Sequence, residues 1–381
     1  MIIEIRKAGF TNKGAELMLH AVMAKVKERY PDATLVMAPT HRNAAQPFHK
    51  LVWLGFYPKA WLWKFGIQWG DFAAFLPPKL QEMYGLVLDR DIDVVIDAAG
   101  FSYSDQWGVA TSRELAKSSR RWRRRGTKLI MLPQAFGPFK APRIDRYVEA
   151  FVANAQLVCA REPDSYRYIT ELVGEQQKIK LYPDFTNLVA GVLPESFDYR
   201  NNRVALIPNY RMIDKTTRDE SEAYVSFMVR CARYLADQGK KPFILIHEGE
   251  KDRVLAGQIS RVVHSLPVVK EEDPFKIKGI LGQCDATIGS RFHGLVSALS
   301  QGVPSLATGW SHKYRRLFED YGFPEGVVSV LDPDGEVEQK LGLITGGSER
   351  EELIARLNKH SAELKERSEA MWKDVFEAIE S

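Results

Sequence analysis

The sequence predicts an α/β protein of two doubly wound domains facing a cleft, closed by a long C-terminal helix. Three observations carry this expectation. Short apolar runs alternate with amphipathic stretches along most of the chain, the pattern of βα units on parallel sheets. The 381 residues exceed the ~100–200 that one core usually holds. A polar stretch with a proline and no periodicity, 191–202, divides the two series of units and reads as a linker.

Strands are expected at 2–7, 33–38, 93–98, 128–132 and 157–160. The first helix, 13–30, follows from Ala15, Met18, Leu19, Val22 and Val26 at helical spacing. Further helices are predicted over 112–125, 144–154 and 164–173. The second series comprises strand 204–208, helix 220–238, strand 242–247, helix 251–264, strands 267–269 and 285–288, helix 292–301 and strand 303–307. The tail, 351–379, is one helix with an apolar stripe of Leu353, Leu357, Leu364, Met371, Val375 and Ile379. The expected domains are 1–190 and 203–346, with 347–381 crossing back to the first.

Composition narrows the function. Hydrophobic residues make up 45% and charged residues 27%, which is globular usage and excludes a disordered or collagen-like chain. Lys+Arg 53 against Asp+Glu 49 leaves a net charge of +4, too mild to point to nucleic acid. Cys159, Cys231 and Cys284 lie far apart among apolar residues and read as small buried hydrophobes. The N-terminus reads as a strand and lacks the features of a signal peptide. No run reaches the ~18 uncharged apolar residues of a spanning helix. A cytoplasmic protein is expected, with a peripheral place at the inner face of the membrane as its closest approach to lipid.

The sharpest chemical signal is Gly289-Ser290-Arg291-Phe292-His293-Gly294-Leu295. An apolar strand ends at Gly289, and Ser290 is a suitable N-cap. Arg291 and His293 then fall in the first helical turn, where the helix dipole already supplies positive charge and an acid would be the stabilising choice. The placement makes sense if an anion binds there, on free N–H groups, a guanidinium fork and an imidazole. A solvated first turn without a ligand is the plainer reading. A second basic cluster, from Trp310 through His312 and Lys313 to Arg316, also follows a strand and opens a helix. It is either a solvated face or a second source of charge for the same ligand.

In the first half, Asn12 is a plausible N-cap, Gly14 permits close backbone approach, and Glu16 complements the helix dipole. Asp97–Ser104 and Gln134–Phe139 suit loops lining a cleft, or ordinary turns. Arg161, at a strand end, either joins the cleft or pairs with Glu162 or Asp164. Asp89, Asp91 and Asp93 have D-x-D spacing, but Asp93 precedes its strand and lies at the wrong end of the sheet. His247-Glu248 lacks the second His of a metalloprotease helix. No metal site and no nucleophile elbow are expected.

Two surface features remain. Arg120-Arg121-Trp122-Arg123-Arg124-Arg125 closes a predicted helix with more cations than a cap needs. Nine aromatic residues between Trp53 and Phe75 read first as core, then as a sugar platform or a membrane-docking edge.

With these motifs, and with Gly302-Val303-Pro304, Pro133–Pro138, Ala160–Ser165 and Pro183-Asp184-Phe185, most of the chain resembles the polysaccharide pyruvyl transferase family. The resemblance implies two Rossmann-like domains in a GT-B-like arrangement. It implies transfer of pyruvate from phosphoenolpyruvate to two hydroxyls of one sugar, giving a cyclic ketal on a glycan or its lipid-linked precursor. No cofactor is implied, phosphoenolpyruvate being the donor substrate. The family's donor-binding Arg and His fall on Arg291 and His293, its Arg before Asp-x-x-Ser on Arg161, and its later Lys on Lys313. Ala15 stands where the family has Asp, so no acid–base role carries over there. The expected site is therefore His293, Arg291 and Glu16 for catalysis. Arg161, Ser290, Lys313, Asn12, Gly14 and His312 would bind substrate. Glu16 or Asp105 would handle a hydroxyl proton. A nucleotide-sugar glycosyltransferase of the same architecture and a non-catalytic binder of anionic glycans are the competing readings.

Overall fold

In the computed structural model, which describes residues 1–39, 48–65, 67–263, 266–309 and 311–381, contacts divide the chain into two units. One is Met1–Phe185 with Arg367–Ser381, the other Thr186–Glu366. Trp310 and the predicted helix end at His264 lie outside the described residues.

In the first unit, β1 (Ile2–Arg6) leads through α1 (Lys13–Arg29) to β2 (Thr34–Met37), α2 (Phe48–Trp53), β3 (Tyr57–Pro58), β4 (Trp63–Lys64), β5 (Ile67–Gln68) and α3 (Pro78–Met83). Then follow β6 (Val94–Asp97), β7 (Phe101–Tyr103), α4 (Val109–Arg125), β8 (Lys128–Phe136), α5 (Ile144–Asn154), β9 (Leu157–Ala160), α6 (Pro163–Val173) and β10 (Ile179–Leu181). The sheet runs β10-β9-β8-β6-β1-β2-β3, with β7 beside the end of β8; its neighbours are parallel. The winding reverses between β1 and β6, which makes the carboxyl ends of those two strands the switch point where such sheets bind ligands.

In the second unit, β11 (Val204–Ile207) is followed by α7 (Arg211–Asp214), α8 (Arg218–Asp237), β12 (Pro242–Ile246), α9 (Glu250–Val262), β13 (Val268–Lys270) and α10 (Pro274–Gln283). The series ends with β14 (Ala286–Gly289), α11 (Phe292–Leu299), β15 (Ser305–Ala307), α12 (Lys313–Asp320), α13 (Asp334–Thr345) and α14 (Gly347–Glu380). The parallel order is β13-β12-β11-β14-β15, so this sheet has its own switch point between β11 and β14. Strands buried on both faces read as continuous apolar runs; β11 and β12 are buried at every position. Thr217 and Glu220 start α8 with a capping box.

The apolar stripe of α14 behaves as its spacing predicts. Leu353, Leu357 and Leu364 enter the core of the second unit. From Arg367 onward the helix belongs to the first unit, where Tyr182 donates to Asp374 Oδ2 at 2.6 Å and Trp372 meets Phe185 edge-on.

The boundary is not at 191–202. It falls between Phe185 and Thr186, because the following segment is fastened to the second unit. Lys278 Nζ donates to Thr186 O at 2.6 Å, Val192 N to Phe275 O, and Gly191 lies so close to the backbone of Gly279 that a Cβ would collide with it. Strand β8 continues past its predicted end at 132 because Pro133, which lacks an N–H, sits where the register against β9 shifts. The aromatic segment is not core: Phe56 is buried, but Trp53, Phe65, Phe72 and Phe75 are exposed. The three cysteines are buried and free. Among the described residues no helix is long and apolar enough to cross a membrane.

Two features absorb other sequence signals. Asp89 is buried and holds Lys59 Nζ at 2.7 Å, Arg121 Nε at 2.8 Å and Arg125 Nη1 at 3.1 Å, while Trp122 Nε1 donates to it. Lys59 also reaches Glu4 on β1 at 2.5 Å. Part of the arginine run is thus an internal counter-charge. Asp93 accepts from Ile2 N, so the D-x-D spacing serves the fold.

Candidate functional site

The second sheet gathers its chemistry at its switch point. β11 leads into Asn209–Arg211, β12 into His247 and Glu248, β14 into Ser290 and Arg291, and β15 towards His312 and Lys313. All are carboxyl ends of parallel strands, so these segments emerge on the same edge.

Ser290 does not cap α11. Its backbone N–H donates to Ile207 O and its hydroxyl lies 2.9 Å from the Tyr224 hydroxyl. Its carbonyl accepts from Asn209 Nδ2 at 2.5 Å and Tyr314 Oη at 2.8 Å. Ser290 is a fully buried knot that ties β14 to β11, α8 and α12. The N-cap is Arg291, in extended backbone, with no side-chain cap and no acid in the first turn. Gly294 packs closely beneath this end of β12: a Cβ there would press on the side chains of His247 at 3.3 Å and Ile207 at 3.4 Å.

Arg291 is buried and already engaged. Nε and Nη2 donate to Asp252 at 2.9 and 2.6 Å, and Nη1 pairs with Glu248. Asp252 also accepts from Tyr210 N at 3.1 Å. Burial pushes the Asp252 carboxyl up to about 7 and the Arg291 guanidinium down to about 10. The expectation of an arginine with its fork open to a ligand is corrected: two carboxylates from the end of β12 and from α9 hold that fork. Neither carboxylate is legible in the sequence: Asp252 lies 39 positions away, and His247-Glu248 reads only as an incomplete metal motif.

His293 is half-buried in the first turn of α11. Lys313, buried at the start of α12, stands over the Phe292 ring, 5.3 Å from its centroid. Phe292 is also edge-on to Tyr314 at 6.0 Å. The two basic clusters therefore meet around Phe292, as their spacing one βα unit apart predicts. His312 is the N-cap of α12, again without a side-chain cap or a first-turn acid.

In the first unit, Asn12 caps α1 as expected, its Oδ1 accepting from Gly14 N at 2.8 Å and Ala15 N at 3.2 Å. Glu16 is buried and pairs with Lys13 at 2.7 Å and Lys50 at 3.9 Å. Arg161 pairs with Asp184 at 3.1 Å, while Glu162 caps α6 by accepting from Asp164 N and Ser165 N. Asn12, Gly14 and Glu16 stand at the switch point; Arg161 does not join them, because β9 lies three strands from β1, ~14 Å at the usual strand spacing. Asp105 is not free to act as a base, since its two oxygens accept from Lys140 N and Ala141 N at 2.7 Å each.

Sequence reading missed a second network at this switch point. Arg6 Nε reaches Asp97 at 3.1 Å and Nη2 reaches Glu114 at 2.5 Å. Tyr103 donates to Asp97 at 2.7 Å. Lys7, beside it in left-handed backbone (φ 68°), has its ammonium pushed below the usual lysine range by burial and by Arg6. Among the described residues no cluster of three or more His, Cys, Asp or Glu side chains has the form of a metal site.

Comparison with solved structures bears on the fold. UDP-GlcNAc 2-epimerase from Neisseria meningitidis, bound to UDP-GlcNAc, aligns with a TM-score of 0.61 at 10% identity, over 99% of this chain and 100% of that one. HepE from Anabaena, in complex with UDP and glucose, aligns at 0.56 and 12% identity, over 100% of this chain and 99% of that one. UDP-GlcNAc 2-epimerase from Methanocaldococcus jannaschii aligns at 0.57 and 7% identity, over 92% and 94%. At these identities the likeness shows the fold, the GT-B class with two Rossmann-like domains. The family model described as polysaccharide pyruvyl transferase matches residues 12–312, a span that takes in Asn12, Arg161, the Arg291 knot and His312. The chain belongs to the polysaccharide pyruvyl transferase family, a family of enzymes.

Proposed function

We propose that the protein transfers the pyruvyl group of phosphoenolpyruvate to two hydroxyls of a sugar, in a glycan or its lipid-linked precursor, forming a cyclic ketal. The observation that carries this reading is the uncapped start of α11, with Arg291, His293 and Lys313 around it, at the switch point of the second sheet. A small molecule with a phosphate and a carboxylate suits cations set at a helix N-terminus.

Asp252 and Glu248 orient Arg291 and hold its planar fork in one position. The first-turn N–H groups of α11 and the Lys313 ammonium take the negative charge of the donor. In the reaction the methylene carbon of phosphoenolpyruvate gains a proton and the first sugar oxygen bonds to the central carbon, losing its own proton. The second sugar oxygen then replaces the phosphate oxygen on that carbon. Its proton leaves with phosphate, so donor and diol become ketal and inorganic phosphate. His293 assists phosphate departure by donating a proton. Glu16 takes a hydroxyl proton, with Asn12 and Gly14 on the acceptor side; Arg161 and Asp184 shape that unit at β9.

Phosphate release from phosphoenolpyruvate across a panel of glycan acceptors tests the reaction. Thermal shift separates the rivals. Stabilisation by UDP-sugars and none by phosphoenolpyruvate would favour a nucleotide-sugar enzyme, the ligand class named for the epimerase and HepE structures. Glycan binding without phosphate release would favour a binder.

A further inference from the structure

The exposed aromatic segment of the first unit belongs to neither switch point. Trp53 is 83% exposed, Phe65 84%, Phe75 84% and Tyr84 72%. Isolated exposed apolar residues need no explanation, but a contiguous group of large rings marks an interaction surface. Three rings of the segment form a ladder: Trp69 stacks on Phe72 at 5.6 Å, and Phe72 meets Phe75 at 6.1 Å.

The backbone beneath is pinned, which keeps the rings from folding inward. Gln68 accepts from Leu62 N at 2.8 Å and donates to Ala60 O at 3.1 Å. Trp69 Nε1 donates to Lys64 O at 3.1 Å. Gly70 lies so close to Ala60 that a Cβ would fall 2.3 Å from its carbonyl oxygen. Gln81 Nε2 ties α3 to Leu76 O at 2.8 Å.

A basic face adjoins this ladder. On α4, Arg113, Lys117, Arg120 and Arg124 recur at helical spacing and are exposed. Lys117 Nζ stands 5.8 Å from the centroid of Trp63, which joins the two features. Arg121 and Arg125 are spent on Asp89 and Arg123 on Ala153 O. No acid pairs with Arg113, Arg120 or Arg124 among the described residues. Between Trp53 and Tyr84 the acids are Asp71 and Glu82.

We propose that this aromatic ladder and the basic face of α4 form a docking surface for an anionic lipid bilayer. Phenylalanine, tryptophan and tyrosine rings settle at headgroup depth, and arginines beside them meet lipid phosphate. A second copy of the chain fits poorly: in a two-fold interface the same patch faces itself, which would bring like-charged arginines together. The proposal does not rest on the reaction above and holds or fails separately from it.

The test is co-sedimentation of the full chain with phosphatidylglycerol-containing and pure phosphatidylcholine vesicles, at low and high salt. Binding is expected to the anionic vesicles alone and to weaken with salt. Each arginine near an anionic surface contributes about fivefold in partitioning, so Arg120→Glu with Arg124→Glu should cut binding at least ~30-fold. Phe65→Ser with Phe75→Ser should also abolish it. Both pairs change exposed side chains, and an unaltered melting temperature verifies the fold. Three results would overturn the proposal: no binding at low salt, equal binding to both vesicle types, or a concentration-dependent dimer that Phe65→Ser with Phe75→Ser disrupts.

Discussion

Arg291→Ala should injure the fold before it reports on ligand binding. The substitution removes two hydrogen bonds to Asp252, at 2.9 and 2.6 Å, and the ion pair with Glu248. Asp252 is left buried, with Tyr210 N still donating to it at 3.1 Å. Breaking a buried pair by deleting one member costs about 3–5 kcal/mol, because the surviving charge stays desolvated. For a unit the size of Thr186–Glu366, that is a fall of about 6–20 °C in melting temperature. The loss should depend on pH. Burial already pushes Asp252 up to about 7 from 3.8, and removal of the guanidinium raises it further. The folded state then binds a proton that the unfolded state, near its ordinary value, has lost. Stability therefore falls as pH rises from about 4 through about 7. The variant should be close to wild type at pH 5, where Asp252 is neutral in both, and should fall increasingly below it as pH rises past about 7. Scanning calorimetry across that range, with Asp252→Asn and the double variant completing a cycle, measures both. A melting temperature unchanged at pH 8, or a loss equal at pH 5 and 8, would refute the assignment of Arg291 and Asp252 as a coupled buried pair.

Other consequences are easier to read. Lys313→Ala and His293→Ala should each weaken phosphoenolpyruvate binding by about 1.5–3 kcal/mol, or roughly 10- to 150-fold by calorimetric titration; unchanged affinity would remove them from the donor site. Glu16→Gln should lower kcat with little change in stability, whereas Asp105→Asn should lower stability by loosening Lys140 and Ala141 and spare kcat at permissive temperature. Asp89→Asn should destabilise the first unit by about 3–5 kcal/mol. Lys59 and Arg121 outweigh burial and hold the Asp89 carboxyl far below its ordinary 3.8, so its contribution is present above pH ~4 and lost as pH falls below that; acid titration of the variant should lack this component. Turnover should survive a chelator, since the proposed chemistry uses side-chain cations throughout; loss restored by a divalent ion would contradict it.

The strands and major helices were legible because their signal is local. A buried parallel strand is a short apolar run, and α1 and α14 show their stripes at helical spacing. Pro133 hid the end of β8 because proline ordinarily ends a strand, and only the register shift against β9 accommodates it. The aromatic segment reads as core in the sequence because ring content is the same for a core and for an exposed face. What separates them is the set of polar ties from Gln68, Trp69 and Gln81, which no periodicity encodes. The basic helix start at Arg291 was legible as an electrostatic oddity. Its resolution was not, since the compensating acids come from the other side of the switch point.

The two switch points show why a guanidinium alone does not define a donor site. Arg6 and Arg291 each end a strand or follow one, and each is held by two carboxylates from elements later or earlier in the chain. Around Arg6, the remaining cation is Lys7, whose ammonium is disfavoured by burial, and Tyr103 completes a closed hydrogen-bonded set with Asp97. That network balances its charge internally. Around Arg291, burial disfavours the charged form of Asp252, while Lys313 and His293 stand at helix starts whose own dipoles are positive. Burial disfavours the charged form at both sites: that of Lys7 at the first, and those of both Asp252 and Arg291 at the second. What sets the second site apart is that α11 and α12 both start without a first-turn acid, with His293 and Lys313 beside those starts, and this is what supports the proposal of an anionic donor there.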